Sequence, residues 1–140
     1  MRRRYRFCAV TEDRPIDDLT LLGGDASGPV EHLECFDAPE HCTRVRFTTE
    51  EVTSLCPVTG QPDINSVTID YRPDRSCVES KSLKLYLWGF RDRKVFAEAL
   101  AAEIAAEVLR AAEPHEVTVV VTQHARGGIV TEATAHRTRP

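Results

Sequence analysis

The chain has 140 residues, 41% of them hydrophobic and 29% charged, with a formal charge of −4. That is enough for one domain with its own core, in the composition range of soluble globular proteins. The charge offers no attractive field to nucleic acid or an anionic membrane, and no apolar run is long enough for a bilayer-spanning helix. The basic start Met1-Arg2-Arg3-Arg4 lacks the apolar stretch of a secretory signal. Cys8, Cys35, Cys42, Cys56 and Cys77 form an odd set without a regular framework. Reduced thiols in a cytosol are the expectation.

Residues 1–41 read as irregular, with Pro15, Pro29, Pro39 and the Gly23-Gly24 pair and little periodicity. Arg44 to Thr53 alternates as a strand, with Val45 and Phe47 on one face. A loop rich in turn residues, Cys56 to Asp63, follows. Ser66 to Tyr71 alternates again, Val67, Ile69 and Tyr71 against Ser66, Thr68 and Asp70. Leu83, Tyr86, Leu87 and Phe90 have helical spacing. Lys94 to Ala112 is the strongest helix, Ala-rich, with Phe96, Leu100, Ile104 and Val108 in one row and Pro114 beyond its end. Val117 to Thr122 and Ile129 to Thr134 read as two more strands around Gly127-Gly128. The expected fold class is α+β, a four-stranded antiparallel sheet of two hairpins with two helices on one face. The expected domain is residues 1–140, with 1–18 and 136–140 as poorly ordered ends. The uncovered sheet face and edges call for a second copy of the chain.

Cys56 and Asp63 put a thiol and a carboxyl group in one short loop. A thiol can attack an electrophilic carbon, and a nearby acid can supply the proton that the attack requires. The plain alternatives are a buried cysteine and a turn-capping aspartate. Pro57 biases Cys56 towards an extended backbone, and the loop is polar for a core segment. Glu98 lies about 140° or more around the long helix from Glu103 and Glu107, on the side of Ala102, Ala105 and Leu109. It reads either as an ion-paired or dipole-favoured first-turn residue, or as a carboxylate accepting hydrogen bonds from the N–H groups of a heterocycle. Lys81 and Lys84, on neighbouring helical positions, form either a solvated basic face or a clamp for dinucleotide phosphates. Arg126, before Gly127-Gly128, could join that clamp. His32, Cys35, His41 and Cys42 have zinc-ligand chemistry, but their spacing matches no common structural site, and no metal is expected. His115, His124 and His136 read as surface residues.

Two dense runs are specific. Leu55-Cys56-Pro57-Val58-Thr59-Gly60-Gln61-Pro62-Asp63 and Glu79-Ser80-Lys81-Ser82-Leu83-Lys84-Leu85-Tyr86 resemble the signatures of the NADPH-dependent 7-cyano-7-deazaguanine reductases. These are nitrile reductases of the queuosine pathway, and the likeness is to their short, single-module type. Arg126-Gly127-Gly128-Ile129 and Thr20-Leu21-Leu22-Gly23 are similar to the family's terminal runs. The resemblance implies the tunnelling fold, shared with GTP cyclohydrolase I and the pyruvoyl-tetrahydropterin synthases, in which rings of subunits bind ligands between them. It implies a cytoplasmic homo-oligomer that takes a small deazaguanine nitrile and NADPH and binds neither nucleic acid nor membrane.

The implied roles are concrete. Cys56 would form a covalent thioimide with the nitrile carbon, and Asp63 would donate a proton. Val78, Glu79 and Ser80 would contact the substrate, as would Ala97 and Glu98, with Glu98 anchoring the deazaguanine ring. Lys81, Lys84 and Arg126 would contact NADPH phosphates. One departure stands out. Relatives carry His-Glu where this chain has Ala97-Glu98, which removes a proton-relay or pocket-closing imidazole. Two other classes share the same residues: a thioimide-forming amidinotransferase without hydride transfer, and a non-catalytic purine-binding module in which Cys56 is idle.

Overall fold

The computed structural model describes residues 19–21, 24 and 26–140. The expectation for residues 1–18, Cys8, and the Leu22-Gly23 part of the N-terminal run lie outside the described residues. Among the described residues the order is β1 (Cys35–Asp37), β2 (Val45–Leu55), β3 (Pro62–Arg72), β4 (Ser76–Val78), α1 (Ser80–Trp88), α2 (Ala97–Ala112), β5 (Glu116–Arg126) and β6 (Ile129–Thr138). The large sheet is antiparallel throughout, in the order β2-β3-β5-β6. Its two hairpins are joined through the helical pair, the α+β arrangement that the periodicities predict. The short strands β1 and β4 pair as a separate two-stranded sheet. Three residues each is too few for an alternation to register, so the expected irregular start hides a strand.

The core lies between α2 and the sheet. Val117, Val119 and Val121 of β5 and Val67, Ile69 and Tyr71 of β3 face inward by strict alternation. Leu100, Ile104 and Val108, the apolar row of α2, are all 0% exposed against them. Phe96 does not join that row. It is the N-cap, 56% exposed, and the helix begins at Ala97 instead of Lys94. The cause is backbone competition. Leu55 donates to Arg93 O and accepts from Val95 N, at 2.9 and 3.2 Å, so this segment pairs with the end of β2 before the helix can start. The start of α2 is thereby fixed beside the strand that leads into Cys56.

The other face of the sheet is polar rather than apolar. Arg44 pairs with Asp70 at 2.6 Å, Ser66 Oγ meets His124 Nε2 at 2.9 Å, and Thr118 Oγ1 meets His136 Nδ1 at 2.8 Å. The tail expected to fray is instead strand as far as Thr138, and Arg139 pairs with Asp74 at 2.6 Å. No described helix is long and apolar enough to cross a membrane.

Two irregularities interrupt the large sheet. The β2–β3 register shifts between Thr49 and Val52, and the β5–β6 register shifts between Gln123 and Arg126. A bulge adds one residue to a strand and so reverses which residues face inward beyond it. In β2 the inward set passes from Val45 and Phe47 to Val52 and Ser54.

Ile104 tests the packing. Truncation to alanine at a fully enclosed site removes buried methyl groups and leaves a cavity, at a cost of about 2–5 kcal/mol. Urea unfolding of Ile104→Ala should show a loss in that range with an unchanged slope.

Candidate active site

Cys56 owes its inward position to the bulge in β2. It continues the inward set Val52, Ser54 and is 8% exposed. Its loop is tied at both ends: Cys56 N donates to Gln61 O at 2.8 Å, and Gly60 N donates to Cys56 O at 2.9 Å. Gly60 has φ +70°, a left-handed conformation that side chains disfavour. The turn folds Thr59 back over the sulfur, with its backbone N 3.5 Å from Cys56 Sγ.

Asp63 lies on β3, not in the loop, directly across the ladder from Ser54. Its side chain is 4% exposed and pairs with Arg126 Nη2 at 2.9 Å. Arg126 owes its position to the second bulge. Gln123 faces inward, where its Nε2 lies 3.4 Å from Asn65 Oδ1, and simple alternation would turn position 126 outward. The shift between them sends Arg126 to the Asp63 side instead. Its Nη1 also donates to Thr59 Oγ1 at 3.1 Å and to Gln61 Oε1 at 2.8 Å. These side-chain partners of Arg126 all fall in the Cys56–Asp63 stretch.

This surrounding has one electrostatic consequence. The Cys56 thiol is brought down to about 6 from an ordinary value of 9.0. The causes, largest first, are the Thr59 side chain, the Thr59 backbone N–H, the Arg126 guanidinium and the Val58 N–H, against a smaller opposing effect of burial. Hydrogen bonds to the charged form favour it. Cys56 is thus a thiolate at neutral pH, the reactive form of the residue. The same contact raises Arg126 above its ordinary range.

Beneath this group runs a second polar layer. Asn65 is 0% exposed, and its Nδ2 donates to Val52 O and to Ser54 Oγ, each at 3.1 Å. It sits two residues along β3 from Asp63, on the same face. Extending the alternation of Val67, Ile69 and Tyr71 backwards reaches both, a signal that sequence reasoning passed over. The part played by Thr59 rests on a turn geometry that spacing does not disclose.

The other predicted residues are distributed unevenly. Glu79 is the N-cap of α1, its two carboxylate oxygens accepting from Lys81 N at 2.7 Å and Ser82 N at 2.8 Å. Its own N–H goes to Glu34 O, and the Val78 N–H goes to Tyr71 Oη. Val78 and Glu79 are therefore buried with these groups in use, and Ser80 is the exposed member of the strip. Lys81 Nζ donates to Leu21 O at 2.6 Å and Gly24 O at 2.9 Å, while Lys84 is exposed. Arg126 makes its contacts in the Cys56–Asp63 stretch. Ala97 is buried. Glu98 is exposed in the first turn of α2 and makes no hydrogen bond or ion pair among the described residues. The enclosed, partnered Glu98 expected from the helical face is not what one chain presents, because that side of the first turn faces outward. No three metal-ligating side chains gather among the described residues. Cys35 is buried in β1, and His32 and His41 are exposed.

The chain matches the family model described as QueF-like protein over residues 62–140. A protein of Alkalilimnicola ehrlichii named NADPH-dependent 7-cyano-7-deazaguanine reductase is 44% identical over 114 residues, 80% of this chain and 88% of its own length. A protein of that name from Methylobacillus flagellatus is 40% identical, covering 82% of this chain and 84% of its own. Another from Frankia casuarinae is 41% identical, covering 84% and 94%. Among solved structures, the apo form of an archaeosine synthase QueF-Like superposes with a TM-score of 0.65 at 26% identity, covering 69% of this chain and 95% of that one.

The thiolate predicts a pH dependence of stability. A folded value below the unfolded one stabilises the fold fully above the unfolded value, near pH 9, and that contribution is lost as pH falls through about 6. The stability difference between wild type and Cys56→Ser should therefore grow from pH 6 to pH 9 in parallel denaturation series. Thr59→Val, which removes the largest cause, should flatten that growth.

Proposed function

Because the chain belongs to the QueF-like protein family, we propose that it is an NADPH-dependent reductase of the nitrile 7-cyano-7-deazaguanine, making the aminomethyl product for queuosine synthesis. The observation that carries this reading is the buried Cys56 thiolate, held by donors and set beside a buried carboxyl group. A nitrile carbon is electrophilic and small enough to meet a sulfur at the end of a strand. Addition forms a C–S bond and breaks one π bond of the nitrile. The electron pair moves to nitrogen, which takes a proton through Asp63. The product of that step is a thioimide on Cys56.

NADPH, when bound, supplies hydride, first to the thioimide and, in a second equivalent, to the imine released from the sulfur. The residues present fit its phosphates in charge: Lys84 is exposed on α1, and Lys81 lies one turn away with its ammonium on neutral carbonyl oxygens. These two would hold it. Ser80, the exposed member of the Val78–Ser80 strip, offers a polar contact to the purine-like ring, with Val78 and Glu79 placed beside it. The Glu79 carboxylate serves the helix.

Glu98 has the chemistry to accept two ring N–H bonds, and with no partner among the described residues both its oxygens are available. A site divided between Cys56 and an outward-facing Glu98 is completed by a second subunit. Val58, 81% exposed in the nucleophile loop, and Phe96, 56% exposed beside Ala97, are apolar surfaces that such a subunit would cover. The reading is thus of a cytoplasmic homo-oligomer with sites between subunits. Where relatives have an imidazole, the buried Ala97 methyl has no proton to offer, and Asp63 carries the proton transfers.

The solved neighbour named archaeosine synthase raises a second reading, thioimide chemistry without hydride transfer. NADPH turnover separates the two. Protein mixed with the nitrile and NADPH should consume the reduced cofactor, followed by its absorbance, and Cys56→Ala should show none above the blank. Adduct formation without NADPH consumption in the wild type would reject the reductase reading. Glu98→Gln should raise KM for the nitrile about tenfold, the equivalent of about 1.4 kcal/mol, with a smaller change in kcat.

A further inference from the structure

Trp88 is the only tryptophan of the chain, and it is 40% exposed at the last position of α1. A single exposed apolar side chain is ordinary, but the company of this one is not. Ser82, Leu83, Leu85 and Tyr86 form the buried face of the helix. At 100° per residue, Lys81, Lys84 and Trp88 fall within about 60° of one another on the opposite face. Lys84 and Trp88 are both exposed there, one turn apart. The chain then turns back on itself. Arg91 N donates to Trp88 O at 3.2 Å, and the Arg91 guanidinium carbon lies 5.8 Å from the centre of the indole, within cation–π range. The whole chain has a formal charge of −4, yet between Lys81 and Lys94 the carboxylate of Asp92 stands against Lys81, Lys84, Arg91, Arg93 and Lys94. Glu103 engages Arg93 at 2.6 Å. Asp92 lies 3.7 Å from Arg91 Nε with both side chains well exposed, a pairing that solvent weakens and that leaves the Nη edge of the guanidinium open.

This pattern suits a nucleotide that carries a phosphate beside its base. A flat indole offers its face to an adenine ring. An arginine already resting on an aromatic ring has less freedom to lose on binding, and its planar fork presents paired N–H groups to a phosphate. Lys81 and Lys84, one to two turns earlier on the same face, are the residues that the reductase reading gives to the cofactor phosphates. They do not distinguish NADPH from NADH, because both dinucleotides carry the pyrophosphate. The phosphate that distinguishes them sits on the adenosine ribose, next to the base. We propose that Trp88 and Arg91 form the subsite for the adenosine 2′-phosphate end of NADPH: the indole stacks on the adenine, and the guanidinium takes the 2′-phosphate. The proposal rests on the reading of the chain as an NADPH-dependent reductase and adds to it the residues that select this cofactor. The aromatic platform serves either dinucleotide, and the selection falls to the arginine.

The emission of a sole tryptophan reports on this subsite directly. The full chain is titrated with adenosine 2′,5′-bisphosphate and, separately, with adenosine 5′-monophosphate. Neither probe carries a nicotinamide, so energy transfer to a reduced nicotinamide bound elsewhere plays no part. The bisphosphate should quench Trp88 emission saturably, and the monophosphate should bind about tenfold or more weakly. Arg91→Gln, checked for native circular dichroism, should weaken the bisphosphate about tenfold and bring the two probes close together. In the same variant the ratio of kcat/KM for NADPH over NADH should fall about tenfold. Trp88→Leu, followed by calorimetry, should weaken both probes about tenfold, and Trp88→Phe should recover most of that loss. Emission unmoved by the bisphosphate, in a wild-type protein that consumes NADPH with the nitrile, would overturn the subsite alone. Equal affinity for the two probes, or a ratio unmoved in Arg91→Gln, would overturn it as well. Emission that follows protein concentration instead of nucleotide would assign Trp88 to a subunit contact and overturn it. A wild-type protein that consumes no NADPH with the nitrile overturns the reductase reading and the subsite with it.

Discussion

Two acidic groups, a thiol and a carboxyl, are buried side by side at the end of this sheet, and a single guanidinium serves both. Cys56 and Asp63 come from different strands, and each lies away from water. Burying either as an anion without a cation would be costly. Arg126 removes the difficulty for both at once and anchors the loop that carries the sulfur. The rest of the local structure serves that contact. The left-handed Gly60 closes the loop, Thr59 completes the ring of donors, and the Ser54–Asn65–Gln123 layer keeps the strands beneath it in register.

The contact exists because the sheet is not regular. Two bulges, one in β2 and one in β5, each reverse the alternation just before the residue that matters. Without the first, Cys56 would face the polar side of the sheet. Without the second, Arg126 would point away from Asp63. Bulges near active sites serve this re-aiming of side chains. Here a matched pair converts three strand-end residues into one cluster. The proposed ring-binding part of the site is organised differently. It depends on α2, whose start is set by the backbone pairing of Leu55 with Arg93 and Val95, and it leaves Glu98 at the surface.

The hairpins, the helix order and the inward rows of β3, β5 and α2 were legible in the sequence because each rests on a period that apolar residues repeat. Cys56 and Asp63 were legible as chemistry and through the dense motifs around them. Arg126 was legible as a cation, but its pairing with Asp63 was not, since one inserted residue reverses which way a strand position faces and leaves no compositional trace. Phe96 failed for a related reason: its spacing fits the helix row, yet a strand-like pairing just before it claims the backbone first. The capping role of Glu79 was not read from the sequence, although a carboxylate three positions before Ser82 N is geometrically suited to close that helix. Glu98 was singled out as a carboxylate needing a partner, and none lies among the described residues.

The proposed reaction requires a preformed Cys56 thiolate that bonds to a nitrile carbon before any hydride arrives. Intact mass spectrometry of the wild-type protein, incubated with 7-cyano-7-deazaguanine and no NADPH, decides whether that order of events holds. A preformed thiolate should give a mass increase of one nitrile, located on Cys56 by peptide mapping and absent in Cys56→Ala. An unmodified wild-type mass, under conditions where adding NADPH gives turnover, would contradict it.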